Sequence, residues 1–312
     1  MTRPSLPLRF SKEVAEARDK GAPLVALEST IITHGMPYPQ NLEVARQVEE
    51  DVRAAGAIPA TIAVIDGELH IGLEADELET LANAKGVAKL SRADMAVCIA
   101  TGGTGATTVA ATMIAAHAAG IEVFATGGIG GVHKGAEENF DISADLMELA
   151  QTPVSVIAAG AKAILDVPKT LEVLETQGVP VITVGQDHFP AFWSRLSALK
   201  SPLRLDDPEA LAAAHRARAA LGLPGGQLIA NPIPEADEIS RDELAPIIAQ
   251  AQSDATHHEI KGKGVTPYLL QRIYELTEGR SLTANIALVR NNARLGAAVA
   301  IALSASAPAR KK

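Results

Sequence analysis

Short runs of β-branched and other apolar residues alternate with alanine-rich stretches of helical spacing over most of the chain. Residues 24–27, 60–65, 69–73, 95–100, 123–125, 154–158 and 179–184 read as strands. Apolar positions at intervals of three and four predict helices over 41–55, 76–84, 107–119, 144–150, 168–178 and 206–220. Three more, over 241–252, 266–277 and 281–304, close the chain. The punctuation agrees with this pattern: Asn41 caps one helix, Gly120 and Gly178 stop two others, and Pro168 occupies a first turn. Residues 229–234 read as a proline-interrupted crossing segment.

Strand–helix alternation predicts a three-layer α/β/α fold. Asp66-Gly67, flanked by two strands, is a hairpin signal, so the sheet is expected to be mixed but mostly parallel. No internal repeat or shift of composition divides the chain. Residues 1–312 are therefore read as a single α/β domain ending in a short, flexible, basic tail over 305–312.

Composition narrows the class. Of 312 residues 47% are hydrophobic and only 3% aromatic, which suits alanine-rich helices packed closely on a buried sheet. The net charge is −9 and no basic cluster precedes the C-terminal tail, which argues against nucleic acid as a partner. Cys98 is the only cysteine, so an intrachain disulfide is impossible. The N-terminus lacks a signal-like apolar core, and the uncharged stretch 295–308 is too short to span a bilayer. A soluble, cytoplasmic protein with no membrane partner is the expectation.

Lys162 is the only cation in an apolar window, 153–166, that reads as a buried strand running into a helix. Low dielectric favours the neutral amine, which is a nucleophile for carbonyl carbon. The same residue could instead snorkel to solvent or pair with a carboxylate. Glu28 ends a strand among apolar neighbours, where a carboxyl group suits proton transfer or is simply exposed. Two glycine-rich loops, 101–109 and 126–133, match neither a dinucleotide fingerprint nor a nucleoside-triphosphate loop. They offer unobstructed backbone N–H groups at a sheet edge, or else tight turns. Ser143 is a plausible N-cap, and its helix N-terminus could hold a phosphate. Asp141 could hold a divalent ion that keeps most of its waters. Lys89 could meet a phosphate, and His34, His133 and His188 show no metal-ligand spacing.

Read as strings, several stretches resemble the pseudouridine-5′-phosphate glycosidase, or indigoidine synthase A-like, family. They include Ala-Leu-Glu-Ser-Thr-Ile-Ile-Thr-His-Gly-Met-Pro-Tyr-Pro-Gln-Asn at 26–41 and Phe-Ala-Thr-Gly-Gly-Ile-Gly-Gly-Val-His at 124–133. Ala-Gly-Ala-Lys-Ala-Ile-Leu-Asp at 159–166 and Ser-Leu-Thr-Ala-Asn-Ile-Ala-Leu-Val at 281–289 add to them. The resemblance runs from about residue 10 to 303. Asn139 and Tyr268 depart from it, standing where threonine and phenylalanine are expected.

The resemblance implies a lyase that reversibly cleaves the C–C glycosidic bond of pseudouridine 5′-phosphate, giving uracil and ribose 5-phosphate. It implies Lys162 as a nucleophile that forms an imine with C1′ of the opened ribose. Glu28 is implied as proton donor and Asp141 as the residue that holds Mn²⁺, through water. Lys89, Val109, Ser143, Ala144 and Asp145 are implied as substrate-binding positions. His133 is assigned to proton transfer or phosphate, and Asn285 to uracil. A homotrimer is implied as well. The chemistry is consistent, because a C-glycoside has no leaving heteroatom for the two-carboxylate route of ordinary glycosidases. Two other readings use the same residues: an imine-forming aldolase of sugar phosphates, and a non-catalytic sugar-phosphate sensor.

Overall fold

A computed structural model describes residues 6–260 and 264–305. The chain begins with β1 (Leu8–Phe10), α1 (Lys12–Lys20), β2 (Leu24–Leu27), α2 (Thr30–His34) and α3 (Gln40–Ala54). Then come β3 (Ile58–Ile65), β4 (Glu68–Ile71), α4 (Ala75–Asn83), β5 (Ala88–Leu90), α5 (Arg92–Ala100) and β6 (Gly105–Thr107). The middle of the chain forms α6 (Val109–Ala119), β7 (Val123–Ala125), α7 (Ala136–Asn139), α8 (Ala144–Gln151), β8 (Ser155–Ala158) and α9 (Val167–Thr176). It continues through β9 (Val181–Thr183), β10 (Leu203–Arg204), α10 (Pro208–Ala220) and β11 (Gln227–Ala230). Three helices close it: α11 (Arg241–His257), α12 (Val265–Leu276) and α13 (Arg280–Ala305).

The sheet is mixed and mostly parallel, as the alternation predicts. Its main path runs β1-β4-β3-β2-β7-β8-β11-β9-β10. The long strand β3 joins two parts of it. Residues 58–61 pair parallel with β2, while 62–65 pair antiparallel with β4 through the Asp66-Gly67 turn. Both turn residues have positive φ, which Asp tolerates and Gly adopts freely. On the other side of β3, β6 pairs antiparallel and carries β5.

Helices cover both faces. α6 packs against β2, β3 and β7 from one side. α13 crosses β2, β7 and β8 from the other, between α3 and α10. Gly296 lets α13 approach closely, because a Cβ there would lie 3.2 Å from that of Ala125. By length and composition α13 could cross a bilayer. In the fold it is a core helix, burying Leu288, Ala293, Ala297 and Val299.

Four expectations need correction. Residues 95–100 lie in α5, not in a strand; Ser91 opens that helix with a capping box, accepting from the N3 backbone while Asp94 accepts from Ser91 N at 3.0 Å. Asn41 is not a cap, since α3 begins after Pro39. Its side chain is buried and donates to the carbonyls of Ile32 and Ala82, tying α2 and α4 together. The segment read as a crossing begins inside β11, whose last two residues, Ile229 and Ala230, precede the prolines and pair with β8 and β9. Of the tail expected over 305–312, Ala305 is the last residue of α13, and 306–312 lie outside the described residues.

Candidate active site

The strands β2, β7 and β8 are neighbours, and their ends lie in register. Leu27 pairs with Ala125, and Ala125 with Ile157. The residues just beyond this edge are polar: Glu28 after β2, Thr126 after β7, and Lys162 a short loop after β8. Ligands of open α/β folds bind at this carboxyl-terminal edge.

Glu28 is held at both oxygens, Oε1 accepting from the Thr126 hydroxyl and Oε2 from that of Thr30. A threonine hydroxyl can rotate to accept instead, so the pair can hold either protonation state of the carboxyl group. Thr126 is itself fixed, because Asn292 of α13 donates to its carbonyl at 2.7 Å and is anchored by Asn231 at 3.0 Å. Lys162 is half-buried. Its backbone N–H donates to Ile129 O at 3.1 Å, and Ile129 N–H donates to Gly160 O at 3.1 Å. The loops after β7 and β8 thus continue the parallel pairing beyond the strands. Gly160 makes the bend possible: its φ is +85°, and a Cβ would lie 2.9 Å from the Phe189 ring.

Glu28, Lys89, Lys162 and Asn285 line one cavity of about 530 Å³. Its walls are largely apolar, with Phe192, Leu282, Ile286 and Val289 on one side and Leu270 of α12 on another. Phe192 has a positive φ of 64° and lies against Gly128, where a Cβ would come within 2.6 Å of the ring. The glycines at 127–128 thus admit an aromatic wall.

The other expected residues lie outside that lining, next to it. Val109 and Ala144 are the first residues of α6 and α8. Ser143 caps α8, its Oγ accepting from Asp145 N–H at 3.2 Å. Asp145 is buried, and both its oxygens accept backbone N–H groups, from Ala110 at 2.9 Å and Gly130 at 2.8 Å. It therefore joins the start of α6 to the second glycine loop. Thr108, which precedes α6, has a buried Oγ1 with no hydrogen-bond partner. Its N–H donates to Leu90 O at 2.9 Å, one residue from Lys89.

His133 links this group to the cavity. Burial pushes its pKa below the usual value; the Asp141 carboxylate opposes this, and the charges of Lys162 and Lys89 add to it. His133 N–H also donates to Asp141 O at 3.0 Å. No group of three or more His, Cys, Asp or Glu gathers among the described residues. The donor set around Asp141 therefore fits only a hard ion that takes one carboxylate and completes its shell with water or substrate oxygens.

The two glycine loops differ. The second borders the cavity, whereas the first follows α5 and packs under the β3–β4 turn, Gly67 N–H donating to Gly103 O at 2.9 Å. Sequence reasoning missed Thr30, Thr126, Phe192, Trp193 and the wall from α12. Only Thr30 and Thr126 carried a signal, being hydroxyl residues in the segments that directly follow β2 and β7.

The chain matches the family model described as "Indigoidine synthase A like protein" over residues 13–302. It is 78% identical over 303 residues to the pseudouridine-5′-phosphate glycosidase of Roseobacter denitrificans, covering 97% of this chain and 98% of that one. The corresponding protein of Jannaschia sp. is 72% identical over 300 residues, covering 96% and 99%. Among solved structures, the prealnumycin C-glycosynthase AlnA in complex with ribulose 5-phosphate superposes with a TM-score of 0.90 at 39% identity, covering 97% and 98%. An indigoidine synthase A-like protein from Thermotoga maritima superposes at 0.88 with 32% identity, covering 97% and 99%.

Proposed function

The chain belongs to the indigoidine synthase A-like family, and from that premise we propose that it is a pseudouridine-5′-phosphate glycosidase working through Lys162. Pseudouridine 5′-phosphate would be cleaved reversibly to uracil and ribose 5-phosphate. One observation carries the reading: Glu28, just after β2, and Lys162, in the loop after β8, line the same partly apolar cavity. Relatives at 78% and 72% identity bear this activity in their names, and the AlnA structure holds a pentose phosphate.

In the proposed sequence, the C1′–O4′ bond opens as Glu28 gives a proton to O4′ and the Lys162 amine becomes bonded to C1′. The C1′–C5 bond then breaks. The nitrogen first gives its extra proton to the Glu28 carboxylate; as the bond breaks, its lone pair forms a C=N bond to C1′, and the electron pair left on C5 of uracil takes that proton. Water hydrolyses this imine, releasing the aldehyde of ribose 5-phosphate and restoring the amine. Lys89, Thr108 and the N-termini of α6 and α8 suit the phosphate, since helix N-termini present free N–H groups. Asp141 would hold a Mn²⁺ ion, which supplies charge to oxygen atoms of the substrate when bound. A homotrimer belongs to the same reading; Phe140, 81% exposed at the end of α7, offers an apolar contact for a second subunit.

The test is release of uracil from pseudouridine 5′-phosphate, followed by borohydride reduction in the presence of ribose 5-phosphate. A mass adduct on Lys162 is expected. No adduct there, or full activity in Lys162→Ala, rejects the mechanism. Aldol cleavage of a sugar phosphate without uracil release would favour the aldolase reading instead.

A further inference from the structure

Trp193 is the chain's only tryptophan. It is fully buried, with its ring edge-on to Phe192 at 5.1 Å. Its indole N–H donates to Asn285 Oδ1 at 2.7 Å and is shared with the Ser281 carbonyl at 3.1 Å. An indole nitrogen only donates, so this contact settles which end of the amide faces it. The oxygen faces Trp193, and the NH₂ is turned away. Rotating the amide would break that bond and set two donors against each other. Asn285 lines the cavity, among the apolar side chains of Leu282, Ile286 and Val289.

We infer that Trp193 is a positioning residue: it locks the Asn285 amide so that Nδ2 serves as a donor to a carbonyl oxygen of the nucleobase. The inference rests on the glycosidase reading above. It makes Asn285 a selector of acceptors rather than an amide free to adapt to either kind of group, a distinction that the presence of asparagine alone does not draw. A donor with a fixed direction discriminates more sharply than one that can rotate, because the wrong partner leaves it unpaired.

Trp193→Phe keeps an aromatic ring in place and removes the N–H. In the synthetic direction, its KM for uracil should rise about tenfold, equivalent to ~1.4 kcal/mol, with the KM for ribose 5-phosphate unchanged. In an Asn285→Ala background the same substitution should add nothing further to the uracil KM, because the two residues act as one unit. Additive losses, or parallel losses on both substrates, assign Trp193 a packing role and overturn the inference. Asn285→Asp tests the claim without touching Trp193: it keeps an acceptor for the indole and replaces the cavity-facing donor. Unchanged uracil KM in that variant also overturns it. A wild type that leaves pseudouridine 5′-phosphate intact removes the functional reading and this inference together. An active wild type with no uracil-specific effect removes the inference alone.

Discussion

Asp145 separates two roles that its position leaves open, binding substrate or joining two parts of the backbone. It is 6% exposed, and each carboxylate oxygen takes one backbone N–H, from Ala110 at the start of α6 and from Gly130 in the second glycine loop. Asp145→Asn preserves shape. It leaves one oxygen to accept and turns an NH₂ toward the other N–H. A hydrogen bond to a charged group contributes about 1.5–3 kcal/mol, and a neutral one about 0.5–1.5 kcal/mol. Losing one charged bond outright and weakening the other should then cost roughly 2–4 kcal/mol. At about 2 °C per kcal/mol for a chain of this size, the melting temperature should fall by roughly 4–8 °C. The assay is thermal unfolding beside steady-state kinetics measured well below the transition. Stability within about 0.5 kcal/mol of wild type, together with a large loss of kcat/KM, would refute the backbone-joining role and mean that the carboxylate acts on substrate.

Other outcomes follow from the same geometry. Gly128→Ala places a Cβ 2.6 Å from the Phe192 ring and should cost about 1–3 kcal/mol by overpacking, raising KM; the double variant with Phe192→Leu should recover part of both, as unfolding and kinetics would report. Glu28→Gln should abolish uracil release while leaving the fold intact by circular dichroism, since Thr30 and Thr126 can still pair with an amide. A chelator should stop turnover and Mn²⁺ restore it; full activity in the chelator would remove the metal role of Asp141. Burial alone would raise the pKa of Asp51, but hydrogen bonds from Arg290 and Arg294 outweigh it and hold the carboxyl group below its ordinary value. A depressed carboxylate stabilises fully above the unfolded pKa and loses that contribution as pH falls through the folded one. Urea titrations should therefore find Asp51→Asn less stable by about 1–2 kcal/mol at pH 7, with the difference closing only in acid below the usual aspartate range.

Much of this was legible in the residues, for local reasons. Strands β2, β7 and β8 are short apolar runs bounded by turns, and the Asp66-Gly67 hairpin announces the antiparallel part of the sheet. The strand reading of 95–100 failed because a six-residue apolar run has no period long enough to exclude a helix. The deciding signal was Ser91 with Asp94, a capping box just upstream. Asn41 looked like a cap because asparagine often is one. Its real partners are carbonyls 9 and 41 residues away in the chain, which no local rule can reveal. The same limit hid the cavity's walls: α12, α13 and Phe192 meet only in the folded chain.

Register brings a lysine and a glutamate far apart in sequence to one edge of the sheet. Glu28 begins one residue beyond Leu27, and the parallel pairing sets Leu27, Ala125 and Ile157 side by side. Strands lie about 4.8 Å apart, so the ends of β2 and β8 are separated by roughly 10 Å with β7 between them. Thr126, just after that middle strand, donates its hydroxyl to Glu28. Glu28 and Lys162 both line the cavity above these strand ends. The positive-φ bend at Gly160 lies two residues before Lys162. Any side chain there meets Phe189 at 2.9 Å, so Gly160→Ala should displace the loop that carries Lys162. Because its φ is +85°, the substitution is strained as well as crowded. The expected result is a kcat lower by about tenfold or more, since small misplacements of a reacting group carry large rate penalties. A variant with a lowered melting temperature but unchanged kcat would show that the amine's position does not depend on this bend.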